Sequence, residues 1–126
     1  MDSEQTQSNY ISDYKQLIVW QKSFAVAKLT YKLSTQLPKS ELYGIISQMQ
    51  RAAISIPSNI AEGCARNNKG EFIQFLGIAA GSAAELETQL LLSKELFLNI
   101  DITQALSTLK EVQKMLQSLI TKLRLK

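Results

Sequence analysis

The chemistry open to this chain is bounded first by what it lacks: its 126 residues include no histidine. That removes the commonest general base and metal ligand, and with it the nucleophilic triads and dyads built on an imidazole. The di-iron site of helical bundles, which needs a Glu-x-x-His on two helices, goes the same way. The one cysteine, Cys64, makes neither an internal disulfide nor a thiolate zinc site, and gives no sign of an oxidising compartment. Neither phosphate-cradling glycine motif, G-x-x-x-x-G-K-[ST] or G-x-G-x-x-G, occurs. Carboxylates remain. Glu85 with Glu87, or Glu62 beside one of them, could form an acid–base pair, but solvated or salt-bridged carboxylates are the plainer reading. The expectation is a non-enzymatic chain with no catalytic residue, no metal and no cofactor.

Two patterns depart from routine surface. Gly44, Gln48, Arg51, Ser55, Ser58, Asn59 and Glu62 recur three or four residues apart. A solvated helix face favours lysine and glutamate, whereas this stripe offers short hydrogen-bonding groups and one arginine. It suits a partner surface or a buried polar network; a solvated face with a Ser-Pro-Ser bend is the bland alternative. The second pattern is Gly77, Gly81, Ala84 and Thr88, with Ser82 beside them. Two glycines in a helix interior cost about 1 kcal/mol each relative to alanine, so they call for a packing reason. Small residues there admit a second helix closely, either within the subunit or across an interface.

The elements that must carry these residues are helical. An apolar pattern from about Leu17 to Gln36 puts Trp20, Phe24, Ala27 and Tyr31 on one stripe and Val26, Leu29, Leu33 and Leu37 on another. Leu37-Pro38 stops it, and Ser40 is the expected N-cap of the second helix, with Glu41 in its first turn. That helix shows Leu42, Ile45, Met49, Ala52, Ile56 and Ile60 at helical spacing; Pro57 predicts a bend, and Gly63 with Arg66-Asn67-Asn68 an end. Asn68 and Glu71 read as the cap and box partner of a third helix carrying Phe72, Leu76, Ala79, Ala83, Leu86, Leu90 and Phe97. Asn99 breaks it. Asp101 caps a fourth, where Ile102, Leu109, Leu116 and Leu123 repeat every seven residues alongside Leu106, Val112, Leu119 and Ile120. No segment alternates as a strand would. Four helices with short connections predict an all-α, antiparallel up-down four-helix bundle over residues 14–126, behind a flexible polar tail at 1–13. Helices one and four carry apolar residues on more than one stripe, a surplus that argues for oligomerisation.

Composition agrees with one folded domain: 45% hydrophobic, 20% charged, with only 5 Gly and 2 Pro to punctuate long helices. No signal peptide is expected, and no run reaches the roughly 20 apolar residues of a membrane helix. The expected setting is the cytoplasm. Net charge is +3, but residues 1–13 hold Asp2, Glu4 and Asp13 and no base, leaving 14 bases against 8 acids on the rest. Residues 110–126 alone carry +4. Lys28 with Lys32 and Lys110 with Lys114 each share a helix face. Scattered lysines are usually only solvated, yet symmetric assembly would multiply a modest patch into a field suited to phosphate backbones. The candidate phosphate contacts are Arg51, Arg66, Lys28, Lys32, Lys110, Lys114 and Lys122.

The run Ser55-Ile56-Pro57-Ser58-Asn59-Ile60-Ala61-Glu62-Gly63, preceded by Gln48 and Arg51-Ala52-Ala53, resembles a known family. It is the bacterial four-helix-bundle family encoded in intervening sequences of large-subunit ribosomal RNA genes, itself similar to the accessory variability determinant proteins of diversity-generating retroelements. Leu17-Ile18-Val19-Trp20-Gln21, Leu37-Pro38 before Glu41-Leu42-Tyr43-Gly44, and Phe72-x-x-Phe75-Leu76 leading to Ala79-x-Gly81-Ser82-x-x-Glu85-Leu86-Glu87-Thr88 add to the likeness, which spans about Tyr14 to Ile120. It implies a homo-oligomer, typically a five-subunit barrel, with a non-enzymatic role. Retroelement members bind nucleic acid and partner a reverse transcriptase; the intervening-sequence members have no settled biochemical function. By motif position the resemblance marks Gln48, Arg51, Ser55, Asn59, Glu62, Gly81, Ser82 and Glu85, with Gly77 beside them as an assembly candidate. The resulting expectation is an oligomeric accessory protein binding RNA or DNA, beside a reverse transcriptase or a structured RNA. The rival is a protein-interaction scaffold.

Overall fold

A computed structural model describes residues 13–126. Apart from Asp13, the predicted tail lies outside them. A single 3-10 turn, Tyr14–Gln16, leads through extended Leu17 into α1 (Ile18–Ser34). Its core face is Val19, Ser23, Val26, Thr30 and Leu33, continued by Leu37 beyond the helix. The three buried hydroxyls on this face return hydrogen bonds to their own helix: Ser23 to the Trp20 carbonyl at 2.9 Å, Thr30 to Val26 at 2.8 Å and Ser34 to Tyr31 at 2.7 Å. Burial therefore leaves none of the three unpaired, and α1 packs through an apolar face interrupted by satisfied hydroxyls. Of the two predicted apolar stripes, the one with Val26 and Leu33 enters the core. The Trp20 stripe flanks it, with Phe24 46% and Tyr31 42% exposed.

The second helix begins later than its sequence suggests. Ser40 sits inside a 3-10 turn, Lys39–Glu41, where no side-chain capping bond forms. A π-type turn, Leu42–Ile46, follows and leaves helical geometry at Gly44 (φ −111°, ψ −113°). Regular helix α2 runs only from Ser47 to Ala65. Leu42, expected in the core, is exposed. The helix continues through buried Pro57, which removes one backbone donor without ending it. Nor does Gly63 end it: that residue lies buried inside the helix. Termination falls to Asn67, whose φ of 56° is the left-handed conformation that asparagine tolerates and that helix ends use.

Asn68 caps α3 (Lys69–Leu96) as expected, its side-chain oxygen accepting from the Glu71 N–H at 2.9 Å. The Glu71 carboxylate instead lies 3.8 Å from Arg66, tying the end of α2 to the start of α3. At the far end of α3 the Lys94 ammonium donates to the carbonyls of Leu98 and Ile100, at 3.2 and 3.0 Å. The Asp101 carboxylate then accepts from the Thr103 N–H at 3.0 Å, opening α4 (Thr103–Leu125). That backbone bond, joined by one from the Thr103 hydroxyl, holds the Asp101 carboxyl below its usual range.

The helices close an antiparallel bundle in which α1 and α3 each lie between α2 and α4. Ile56, Ile60, Leu76, Leu86, Leu90, Leu109 and Leu116 are fully buried between them. Among the described residues there is no strand, and no helix is long and apolar enough to cross a membrane. The α2–α3 pair packs most extensively, because its inner faces present Ala52, Ala53, Gly63, Ala79 and Ala83, which let the two backbones approach. Their register is pinned where the Ser55 and Ser82 hydroxyls meet at 2.7 Å.

Candidate functional site

That hydroxyl pair closes one end of a groove of about 390 Å³ along the α2–α3 seam, lined by Gln48, Arg51, Ala52, Ser55, Ser82, Glu85 and Gln89. The α2 residues Gln48, Arg51 and Ser55 fall at i, i+3 and i+7, and so do Ser82, Glu85 and Gln89 on α3. Each set is one ridge of its helix, and antiparallel register sets Gln48 opposite Gln89. Ala52, only 6% exposed, is the floor, and its small side chain is why there is a groove at all. Asn59 supports the closed end from one turn below, its side-chain amide donating to the Ser55 carbonyl at 2.7 Å and hydroxyl at 2.9 Å. Five of the residues singled out in the sequence thus share one concavity: Gln48, Arg51, Ser55, Ser82 and Glu85.

Glu62 does not join them. It pairs with Arg66 at 2.9 Å. It stands near the level of Phe75, about 15 Å along α3 from Glu85 at the usual helical rise. Glu87 faces the other side of α3, where it accepts from Lys110 at 2.6 Å and Gln113 at 3.1 Å. Those two bonds, Lys110's first, hold the Glu87 carboxyl below its usual range. None of the conceivable carboxylate pairs therefore forms. Cys64 is buried and its thiol is pushed up to about 11, so it stays protonated near neutrality. Among the described residues no cluster of three or more metal-ligating side chains occurs.

Gly77 and Gly81 are exposed, and a Cβ added to either would meet nothing within 4 Å. Close packing within the subunit is thus not their role.

The seven candidate phosphate contacts do not form one patch. Lys110 is held by Glu87, while Arg66 pairs with Glu62 and lies over the Phe75 ring. Lys28 lies over the Phe24 ring, and Lys32 lines a small cleft with Gln36, Asp101 and Gln104 at the opposite end of the bundle. Lys114 is exposed midway along α4. Lys122 lies beside Gln16 and Ile18 at the start of α1. Up-down topology brings the end of α4 to the same pole as the α2–α3 turn and the start of α1. Exposed Lys15, Arg66, Lys69, Lys122, Arg124 and Lys126 therefore share that pole with Asp13, Glu62 and Glu71. Lys15, Lys69, Arg124 and Lys126 are not among the seven candidates, and only the antiparallel closure brings Lys15 and Lys69 to the end of α4. Gln89 was missed too, although its spacing from Ser82 and Glu85 was legible.

The sequence profile of a family described as 23S rRNA-intervening sequence protein matches residues 15–118. No curated protein matches the chain. Among solved structures, a protein of unknown function from the S23 ribosomal protein family of Bacteroides thetaiotaomicron is similar at a TM-score of 0.72 and 26% identity, covering 82% of this chain and 98% of that one. The profile takes in all of α1 to α3 and most of α4, and the similar structure covers most of the same ground, so the chain belongs to the family of 23S rRNA-intervening sequence proteins.

Proposed function

We propose that this protein is a non-enzymatic, oligomeric accessory factor that binds a structured RNA through its basic pole. The observation carrying this reading is the charge distribution: beyond Glu111, α4 holds no acid, and packing places Lys122, Arg124 and Lys126 with Lys15 and Lys69. Phosphate backbones favour such a surface without base-specific contacts. A structured RNA is preferred to a reverse transcriptase as the partner, because the matched family's description names a ribosomal RNA intervening sequence. DNA is open to the same electrostatic surface.

Assembly is supported by where the surplus apolar surface falls. Ile18, Phe24 and Tyr31 are exposed on α1, and Ile78, Leu91 and Leu92 on α3. These helices are diagonal in the bundle, so the two apolar edges face opposite ways. One copy's α1 edge meeting the next copy's α3 edge is a heterologous contact, which closes into a ring when the rotation permits. The five-subunit barrel is such a ring, with the stacked Trp20–Phe24 pair as a ridge and the open strip at Gly77 and Gly81 as its socket. Gly81→Ala is expected to weaken assembly about tenfold, read by light scattering across a dilution series. If α3 faces only water, the same change leaves the mass alone and raises the melting temperature, as alanine is the better helix former.

One observation favours the scaffold alternative: Tyr43, 94% exposed, and Leu98, 76% exposed, stand with Leu42 and Leu96 at the end of the bundle opposite Lys69, Lys122 and Arg124. Fluorescence anisotropy with a folded RNA at several salt concentrations separates the two. Affinity that falls steeply with salt supports the RNA accessory. No binding at low salt leaves the scaffold.

A further inference from the structure

The α2–α3 groove carries a chemistry that phosphate binding does not explain. Arg51 and Glu85 both line it, yet neither makes an ion pair among the described residues. The Gln89 Oε1 atom is buried and accepts no hydrogen bond. The site therefore presents a carboxylate and a guanidinium, neither of them paired, over a floor cut by Ala52. Glu85 repels phosphate, and a lone cation laid on Glu85 would leave the Arg51 donors unused.

A ligand that satisfies both needs two adjacent N–H donors on one edge and acceptors on the next. Among the four RNA bases only guanine has that pattern, with N1–H and the N2 amino group side by side and O6 and N7 along the neighbouring edge. Adenine and cytosine set one amino group beside a ring acceptor that the carboxylate would repel. Uracil's one N–H lies between two carbonyls. At about 390 Å³ the groove is within the range of small-ligand clefts, roughly 300–1,000 Å³. Unstacked bases of single-stranded RNA are the ones a protein can read on these edges. We propose that the groove takes one unstacked guanine of the bound RNA: Glu85 accepts from N1–H and the N2 amino group, and Arg51 donates to O6 and N7. This rests on the RNA reading above and adds base selection to it.

The test uses the assembled full chain with GMP, IMP and AMP, which share a phosphate and differ in the base edge. The readout is the side-chain amide NMR signals of Gln48 and Gln89. GMP should move them at millimolar concentration, and IMP, lacking the N2 amino group, should bind about tenfold more weakly, the worth of a hydrogen bond to a charged group. Glu85→Gln should erase the preference for GMP over IMP. Equal response to the three nucleotides, or none, overturns the proposal. So does a change of oligomer mass in Glu85→Gln, which would make the groove a subunit contact. None of these results touches the RNA reading, which is judged by charge reversal at the basic pole.

Discussion

Gly63→Ala should destabilise the fold by about 2 kcal/mol, the usual range for forcing an extra carbon into a packed interior. The sign is what makes the experiment informative. In an exposed helix interior the same change stabilises by about 1 kcal/mol. Here the added Cβ would come within 2.9 Å of the Phe75 Cβ and 3.0 Å of a Phe72 ring carbon. The Phe75 Cβ is fixed to the α3 backbone and cannot swing aside, so the closest-packed helix pair must part, loosening the seam along Ala52, Ala53, Ala79 and Ala83 with it. Thermal melting at fixed protein concentration should show a drop of roughly 5–10 °C for a chain of this size. An unchanged or higher melting temperature would mean that α2 and α3 lie farther apart than this structure has them.

Gly63 also shows where sequence reading stops. Near the end of an apolar pattern a glycine reads as a helix terminator, and nothing in its neighbours says otherwise. Only the approach of Phe72 and Phe75 from α3 reveals a packing role. Ser40 failed for a related reason: serine before an acidic residue is a good local cap, but the irregular turn at Gly44 delays the helix to Ser47. The two apolar stripes of α1 were legible, whereas the choice between them was not. The core side is lined by Ser23 and Thr30, whose hydroxyls are satisfied within the helix and so pack almost as apolar groups. What did carry through was periodic. Four helices, the Asn68 cap and three members of the Ile102 heptad stand where spacing put them, whereas the cap of α4 is Ile102 and Asp101 holds the Thr103 N–H from one position earlier. The groove follows the same logic, since the i, i+3, i+7 polar ridge of α2 was visible and needed only its counterpart on α3.

Charge reversal at the basic pole carries the largest expected functional effect. Lys69→Glu, Lys122→Glu and Arg124→Glu together should lower RNA affinity on the order of a hundredfold near 0.1 M salt, and reduce the slope of log affinity against log salt by about one for each phosphate no longer neutralised. None of the three makes an ion pair among the described residues, so their replacement should leave the fold intact. The control is Lys28→Glu with Lys32→Glu and Lys39→Glu, which changes net charge by the same amount away from that pole. A surface that binds through total charge alone would respond equally to both sets, since long-range attraction depends on the sum. A surface that holds phosphates directly responds mainly to the first, because screening confines each exposed charge to about 10 Å at this salt. In a ring the two poles are repeated around opposite rims, so assembly sharpens the contrast between the two sets. Equal reductions would replace the basic pole with a diffuse field. A reduction confined to the control set would move the RNA to the rim that holds Lys32 and Lys39.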